Sequence, residues 1–246
     1  MNSFVSTYKK SVNDSGNLSC KHCSLYRICL PKDANECELR ALDKIIDRQQ
    51  PLKRNTWLFN EGDPFKVIYA IKSCCIKTYR LTSKGKEQVC GFYLPGEIIG
   101  LDAIETGTHT CSAKIIQATR VCAIPYKEFV TLSHKMPGFQ QQLMRIMSRE
   151  IASQQWLITL LGKKSAEERV AAILCNLSDR FEVRGYSPNE FTLGMSRHDL
   201  GDYLGLAIET ISRVLGRFHQ DGLLTARGKH IQLHQPDQLR ELAGYS

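Results

Sequence analysis

The feature that most restricts the fold is a change of hydrophobic period at Pro137-Gly138. Over residues 52–137 short β-branched and aromatic runs follow one another: Trp57-Leu58-Phe59, Val67-Ile68-Tyr69-Ala70-Ile71, Cys75-Ile76-Lys77-Thr78-Tyr79, Val89-Cys90-Gly91-Phe92-Tyr93, Ile115-Ile116-Gln117-Ala118 and Val121-Cys122-Ala123-Ile124. Turn sequences such as Glu61-Gly62-Asp63-Pro64, Ser83-Lys84-Gly85-Lys86 and Pro95-Gly96 separate them, at the spacing of an antiparallel sandwich or jelly roll. Beyond Pro137-Gly138 one helical stretch runs to about Leu161, with Met144, Met147, Ile151, Gln154, Ile158 and Leu161 at alternating steps of three and four. That is a heptad seam, and the polar Gln154 within it predicts a marginal dimer of the kind a cofactor can switch. The fold class is therefore α+β. Its parts are a cysteine-bearing segment with a short helix (1–50), a β-roll or jelly roll (51–137), a long dimerisation helix and hinge (138–162), and a C-terminal helical domain (163–246).

The C-terminal part reads as a winged helix-turn-helix. Ser165-Ala166-Glu167-Glu168 is a capping box, and the helix it opens turns Val170, Ala171, Ile173, Leu174, Leu177 and Phe181 inward. Ser196 is an N-cap for a second helix, Gly205 permits a tight turn, and residues 208–220 resume a helix with Ile211, Val214, Leu215 and Phe218 inward. With that face buried, Glu209, Ser212 and Arg213 project outward, where Arg offers a fork to guanine, Glu accepts from cytosine and Ser serves either role. Arg217, and Arg197 across the turn, are placed for phosphates. Arg227-Gly228-Lys229-His230 followed by Ile231-Gln232-Leu233 forms the tip and strand of a wing. The partner this implies is double-stranded DNA. Bulk charge adds little, because the net +8 of the whole chain is absent from residue 163 onward, where 11 basic and 11 acidic residues balance.

Ten cysteines in 246 residues demand a use. No run of about 18 apolar residues occurs, and residues 1–10 lack the apolar core of a signal peptide, so a cytoplasmic protein with no membrane partner is expected. Disulfides do not persist there, which leaves packing or metal ligation. Cys20, Cys23 and Cys29 form C-x2-C-x5-C on a stretch with no core of its own, and soft thiolates at that spacing suit zinc or an iron–sulfur cluster. A fourth ligand is needed, and Cys37 is near enough in sequence to close a zinc site. An enzyme is not expected, since there is no nucleotide loop and no base placed beside a nucleophile.

The order of cysteine cluster, β-roll, seam helix and winged helix-turn-helix resembles the cyclic AMP receptor protein superfamily, and within it the fumarate and nitrate reduction regulator family. The resemblance covers essentially the whole chain. It includes Cys20, Cys23, Cys29 and the distant Cys122, the segment Lys164-Ser165-Ala166-Glu167-Glu168-Arg169, and Glu209-Thr210-Ile211-Ser212-Arg213-Val214-Leu215-Gly216-Arg217-Phe218. It implies that the β-roll is a sensor domain with a [4Fe-4S] cluster on Cys20, Cys23, Cys29 and Cys122. It further implies a homodimer when the cluster is intact, and oxygen-controlled binding to inverted repeats with TTGAT-like half-sites at genes of anaerobic respiration. The alternative is a zinc-stapled DNA-binding regulator answering another signal. By pattern alone Cys122 is a strand core residue, while Cys37, Cys74, Cys75, Cys90, Cys111 and Cys175 read as packing or surface thiols.

Three departures stand out. Cyclic-nucleotide-binding relatives carry an Arg-Ser pair for the phosphate, whereas this chain has Cys111-Ser112-Ala113, so no cyclic nucleotide is expected. Gln154 replaces an acidic residue that helps hold cluster-free subunits apart in well-known members. Lys86 lies in a loop that is acidic in some members, where RNA polymerase is the partner.

Overall fold

A computed structural model describes residues 19–31, 34–48 and 50–244, so the expectation about residues 1–10 lies outside it. The chain divides into two compact units, Met1–Arg80 with Phe92–Ser148 and Leu81–Gly91 with Arg149–Ser246. No helix among the described residues is long and apolar enough to cross a membrane.

The first unit opens with the short helix α1 (Tyr26–Cys29) and the amphipathic α2 (Glu36–Ile45). Asn35 caps α2 by accepting from the Glu38 backbone N–H at 3.0 Å, while Glu38 reaches back to the Asn35 N–H, so the helix starts at Glu36, ahead of its first buried residue Leu39. Strands β1 (Asp47–Arg48), β2 (Trp57–Phe59), β3 (Val67–Ile71), β4 (Ile76–Leu81), β5 (Glu87–Tyr93), β6 (Ile98–Ile99), β7 (Ser112–Ile115) and β8 (Val121–Pro125) follow. They form two four-stranded sheets of order β1-β8-β3-β6 and β2-β7-β4-β5. Helix α3 (Tyr126–Lys135) then leads into the long helix α4 (Pro137–Lys163).

Strand alternation decides what each sheet face covers. On β3 and β8, Ile71 and Val121 turn toward the second sheet, where Phe59, Ile76, Ala113 and Ile115 complete the sandwich core. Ile68, Ala70 and Ile124 turn the other way, onto Leu30, Leu39, Leu42, Phe129 and Phe139 from the helices. Cys122 therefore shares the helical side with Ile124 and Ala70. Each buried leucine there contributes about 1.5–3 kcal/mol. This burial fixes a segment that has no core of its own.

Two readings are corrected here. The strand expected at 115–118 is Ser112–Ile115, because Ser112 and Ala113 pair with Tyr79 and Thr78 while the chain turns after Ile116. Residues 126–135, taken with the β-region, are α3, which buries Phe129 and Ser133.

In the second unit, α5 (Ala166–Glu182) is capped by Ser165 and Glu168 as the sequence indicates. Strand β9 (Glu190–Thr192), helices α6 (Arg197–Leu204) and α7 (Ile208–Gln220), strands β10 (Leu224–Arg227) and β11 (His230–Leu233), and α8 (Pro236–Ala243) follow. Ser196 caps α6, and Gly205 ends it at φ 64°, a left-handed conformation that favours glycine. Gly201 is required by contact, since a Cβ there would lie 2.6 Å from the Leu206 carbonyl oxygen. The wing is a three-stranded sheet, β10-β11-β9, whose third strand pairs Phe191 with Ile231.

Candidate metal centre and nucleic-acid interface

The cysteine loop is a tight piece of backbone pinned at several points. A 3-10 turn (Cys20–His22) precedes α1, and the Cys20 N–H donates to Asp43 Oδ1 on α2 at 3.0 Å. Gln142 of α4 donates to the Ile28 carbonyl at 3.4 Å. The Pro95-Gly96 turn abuts the same loop: a Cβ at Gly96 would lie 2.9 Å from Ile28 Cγ2.

Pinned in this way, the loop brings Cys20, Cys23 and Cys29 to one hollow of about 440 Å³, partly open to solvent, and β8 adds Cys122 to its wall. Apolar Leu25, Leu30, Leu42 and Ile124 line the rest, with Lys72 as a cation. Cys37, by contrast, is exposed on the first turn of α2 and does not line the hollow. Among the described residues no three His, Cys, Asp or Glu side chains converge tightly enough to grip a single metal ion.

The sulfurs perturb one another. Burial, and then the neighbouring Cys122 and Cys23, push the Cys29 thiol up to about 12. Burial is also the largest cause raising Cys20, followed by Asp43 and Cys29, with Arg48 acting in the opposite sense. Cys122 is raised by burial, against which Arg48 and Lys72 act. The three raised thiols, Cys20, Cys29 and Cys122, hold their protons until a cation displaces them.

The second surface is α7. Its buried stripe of Ile211, Val214, Leu215 and Phe218 leaves Glu209 and Arg213 exposed and Ser212 half-buried. Arg197 of α6 donates from Nη1 to Ser212 Oγ at 3.1 Å, and Arg217 is ion-paired with Glu167 of α5. Both guanidinium groups thus have protein partners.

On α4 the seam positions form one stripe. Met144, Ile151 and Ile158 are 67, 59 and 70% exposed in the single chain, and Met147, Gln154 and Leu161 are half-buried. Gln154 donates to Glu150 Oε1 of its own helix at 3.1 Å.

Three residues that pattern reasoning passed over organise these surfaces. Arg169 closes the C-terminal turns of α4 and α6, donating to the carbonyls of Leu161 (2.8 Å), Lys164 (2.9 Å) and Leu204 (2.9 Å). Its only signal was its place at the end of the Lys164-to-Arg169 segment. Asp43 and Arg48 carried none: one is a polar position on an amphipathic helix, the other part of a charged run before Pro51.

Residues 49–135 match the cyclic nucleotide-binding domain family and residues 168–242 the Crp-like helix-turn-helix domain. Together they define a Crp-type DNA-binding transcription regulator. The chain is 49% identical over 227 residues to the fumarate nitrate reduction regulatory protein of Klebsiella oxytoca, covering 92% of this chain and 91% of that one. It is 48% identical over 229 residues to the fumarate and nitrate reduction regulatory protein of Escherichia coli strain K12, covering 93% and 92%. The chain belongs to the fumarate and nitrate reduction regulator family, whose members are transcription regulators and not enzymes. Among solved structures it is similar to FixK2 of Bradyrhizobium japonicum, with TM-score 0.75 and 28% identity over 82% of this chain and 99% of that one. It also shares the fold of the c-di-GMP responsive regulator CLP of Xanthomonas campestris, with TM-score 0.65 and 22% identity over 81% and 99%.

Proposed function

We propose that the chain is a cytoplasmic, oxygen-responsive transcription regulator that holds a [4Fe-4S] cluster on Cys20, Cys23, Cys29 and Cys122. With the cluster intact, it binds inverted repeats as a dimer and controls genes of anaerobic respiration. The observation that carries this reading is the common hollow: three sulfurs from a local loop and a fourth from a strand about a hundred residues on line one largely apolar space. Four cysteine thiolates are the usual ligand set of a [4Fe-4S] cluster. Cys37, the fourth ligand of the zinc alternative, is exposed and does not line the hollow. When bound, such a cluster supplies the sensitivity to oxygen.

The chain's own residues supply the rest. Leu30, at the end of the cysteine loop, shares a buried cluster with Phe139 of α4, and Pro31 lies 3.7 Å from where a Cβ on Gly138 would stand. Ordering the loop therefore bears on the first turns of the helix whose seam is Met144, Met147, Ile151, Gln154, Ile158 and Leu161. Pairing that seam with a second copy sets two α7 helices about one DNA turn apart, which selects an inverted repeat. Glu209, Ser212 and Arg213 then face base edges of TTGAT-like half-sites, while Arg197 and Arg217 stand nearest the phosphates. RNA polymerase is the further partner of such a regulator, and Lys86 departs from the acidic loop that meets it in some members. Cys111-Ser112-Ala113 lacks the arginine a cyclic nucleotide phosphate requires, so none is expected to bind.

Metal analysis tests the core of this. Anaerobically purified protein should carry about four iron and four sulfide per chain. Cys20→Ala, Cys23→Ala, Cys29→Ala and Cys122→Ala should each abolish loading, and Cys37→Ala should leave it intact. Stoichiometric zinc without sulfide would contradict the reading.

A further inference from the structure

Strand β1 is two residues long, yet it places a cation behind two of the four sulfurs. It pairs with β8 so that Arg48 lies opposite Cys122. The Arg48 guanidinium donates from Nη2 toward Cys20 Sγ at 3.8 Å. It is also ion-paired with Asp43, and the two side chains are only 17% and 19% exposed. Asp43 in turn accepts the Cys20 backbone N–H. Arg48, Asp43 and Cys20 thus form a closed set of contacts joining a strand, a helix and the cysteine loop.

A mostly buried ion pair is a weak source of stability, because desolvation offsets most of the attraction. This pair has a better use. An N–H donor carrying positive charge interacts weakly with a neutral thiol and much more strongly with a thiolate. Groups just outside the ligands fix ligand orientation and set how firmly a metal is held.

We infer that Arg48, clamped by Asp43, is a positioning residue for the cluster. It orients the Cys20 sulfur, joins the loop ligand to the strand ligand Cys122, and offsets the negative charge gathered there, so that iron is retained. The inference rests on the four-cysteine reading above.

The test uses full-length protein purified and handled without oxygen, as the parent and as Arg48→Met, Arg48→Gln and Arg48→Lys. Iron and sulfide content of the parent comes first, and a parent without sulfide defeats the cluster reading itself rather than the role of Arg48. With the parent loaded, two quantities are read: the rate at which a ferrous chelator strips iron, and the iron–thiolate stretching bands in the resonance Raman spectrum. Arg48→Met and Arg48→Gln are expected to load iron but lose it on the order of tenfold faster, with shifted bands. Arg48→Lys, which keeps the charge and a donor, is expected to recover part of both. Matching melting curves of the metal-free proteins establish that the fold is retained. If Arg48→Met does not fold, Arg48→Gln carries the comparison. Parent-like stripping and bands in a folded Arg48→Gln protein, or an Arg48→Lys protein no better than Arg48→Gln, would overturn the inference.

Discussion

Arg213 carries the most specific claim made for one side chain. It is exposed on α7 one turn from Glu209, with the helix held from behind by Ile211 and Val214. A guanidinium fork in the major groove matches the two acceptors of guanine, so Arg213→Ala should cost about 1–3 kcal/mol per half-site and relax preference at that base. Titrating the anaerobic protein against the inverted repeat and guanine-substituted versions at fixed salt checks this, and an unchanged preference would remove Arg213 from base reading. Ser212 is a different case. Its hydroxyl accepts from Arg197, so its orientation is set before DNA arrives. Arg197 thereby ties α6 to α7 through Ser212, a contact its position in the sequence did not suggest.

At the scale of elements, the exposed stripe of α4 bears on self-association. Three large apolar side chains are exposed along it, a stripe of the kind that marks an interaction surface. Gln154 interrupts the stripe and is satisfied within its own helix by Glu150, so it brings neither repulsion nor a fresh partner to the seam. The cluster-free protein should accordingly retain measurable self-association. Gln154→Asp puts a carboxylate four residues from Glu150, costing about 0.2–0.5 kcal/mol per helix before any repulsion across the dimer. Sedimentation of the cluster-free variant should show weaker association than the parent. Equal association would mean that this position is not part of the seam.

For the whole molecule, what could be read in advance followed from local rules. The β-branched runs 67–71 and 121–124, the capping box at Ser165 and the turn at Gly205 act through near neighbours, and each stands where its residues indicate. Elements resting on partners were harder to see. Strand β7 is carried by Ser112 and Ala113, which have little strand preference of their own and are held by pairing with β4. Helix α3 begins directly after the apolar run of β8, so its first turn resembles more strand. The candidate metal centre divides the same way. The C-x2-C-x5-C loop is a local pattern, but Cys122 enters only because strand alternation turns it to the helical side with Ala70 and Ile124. Arg48 acquires meaning only through its register with Cys122.

The claim that unites these scales is that an intact cluster makes a DNA-binding dimer. Fluorescence anisotropy of a labelled TTGAT inverted repeat, with one anaerobic preparation measured before and after exposure to air at constant salt, tests it directly. Tight binding is expected before air and a large loss after it, in step with loss of the cluster's visible absorbance, and no tight binding by Cys122→Ala in either condition. Equal affinity before and after air, with the absorbance gone, would contradict it.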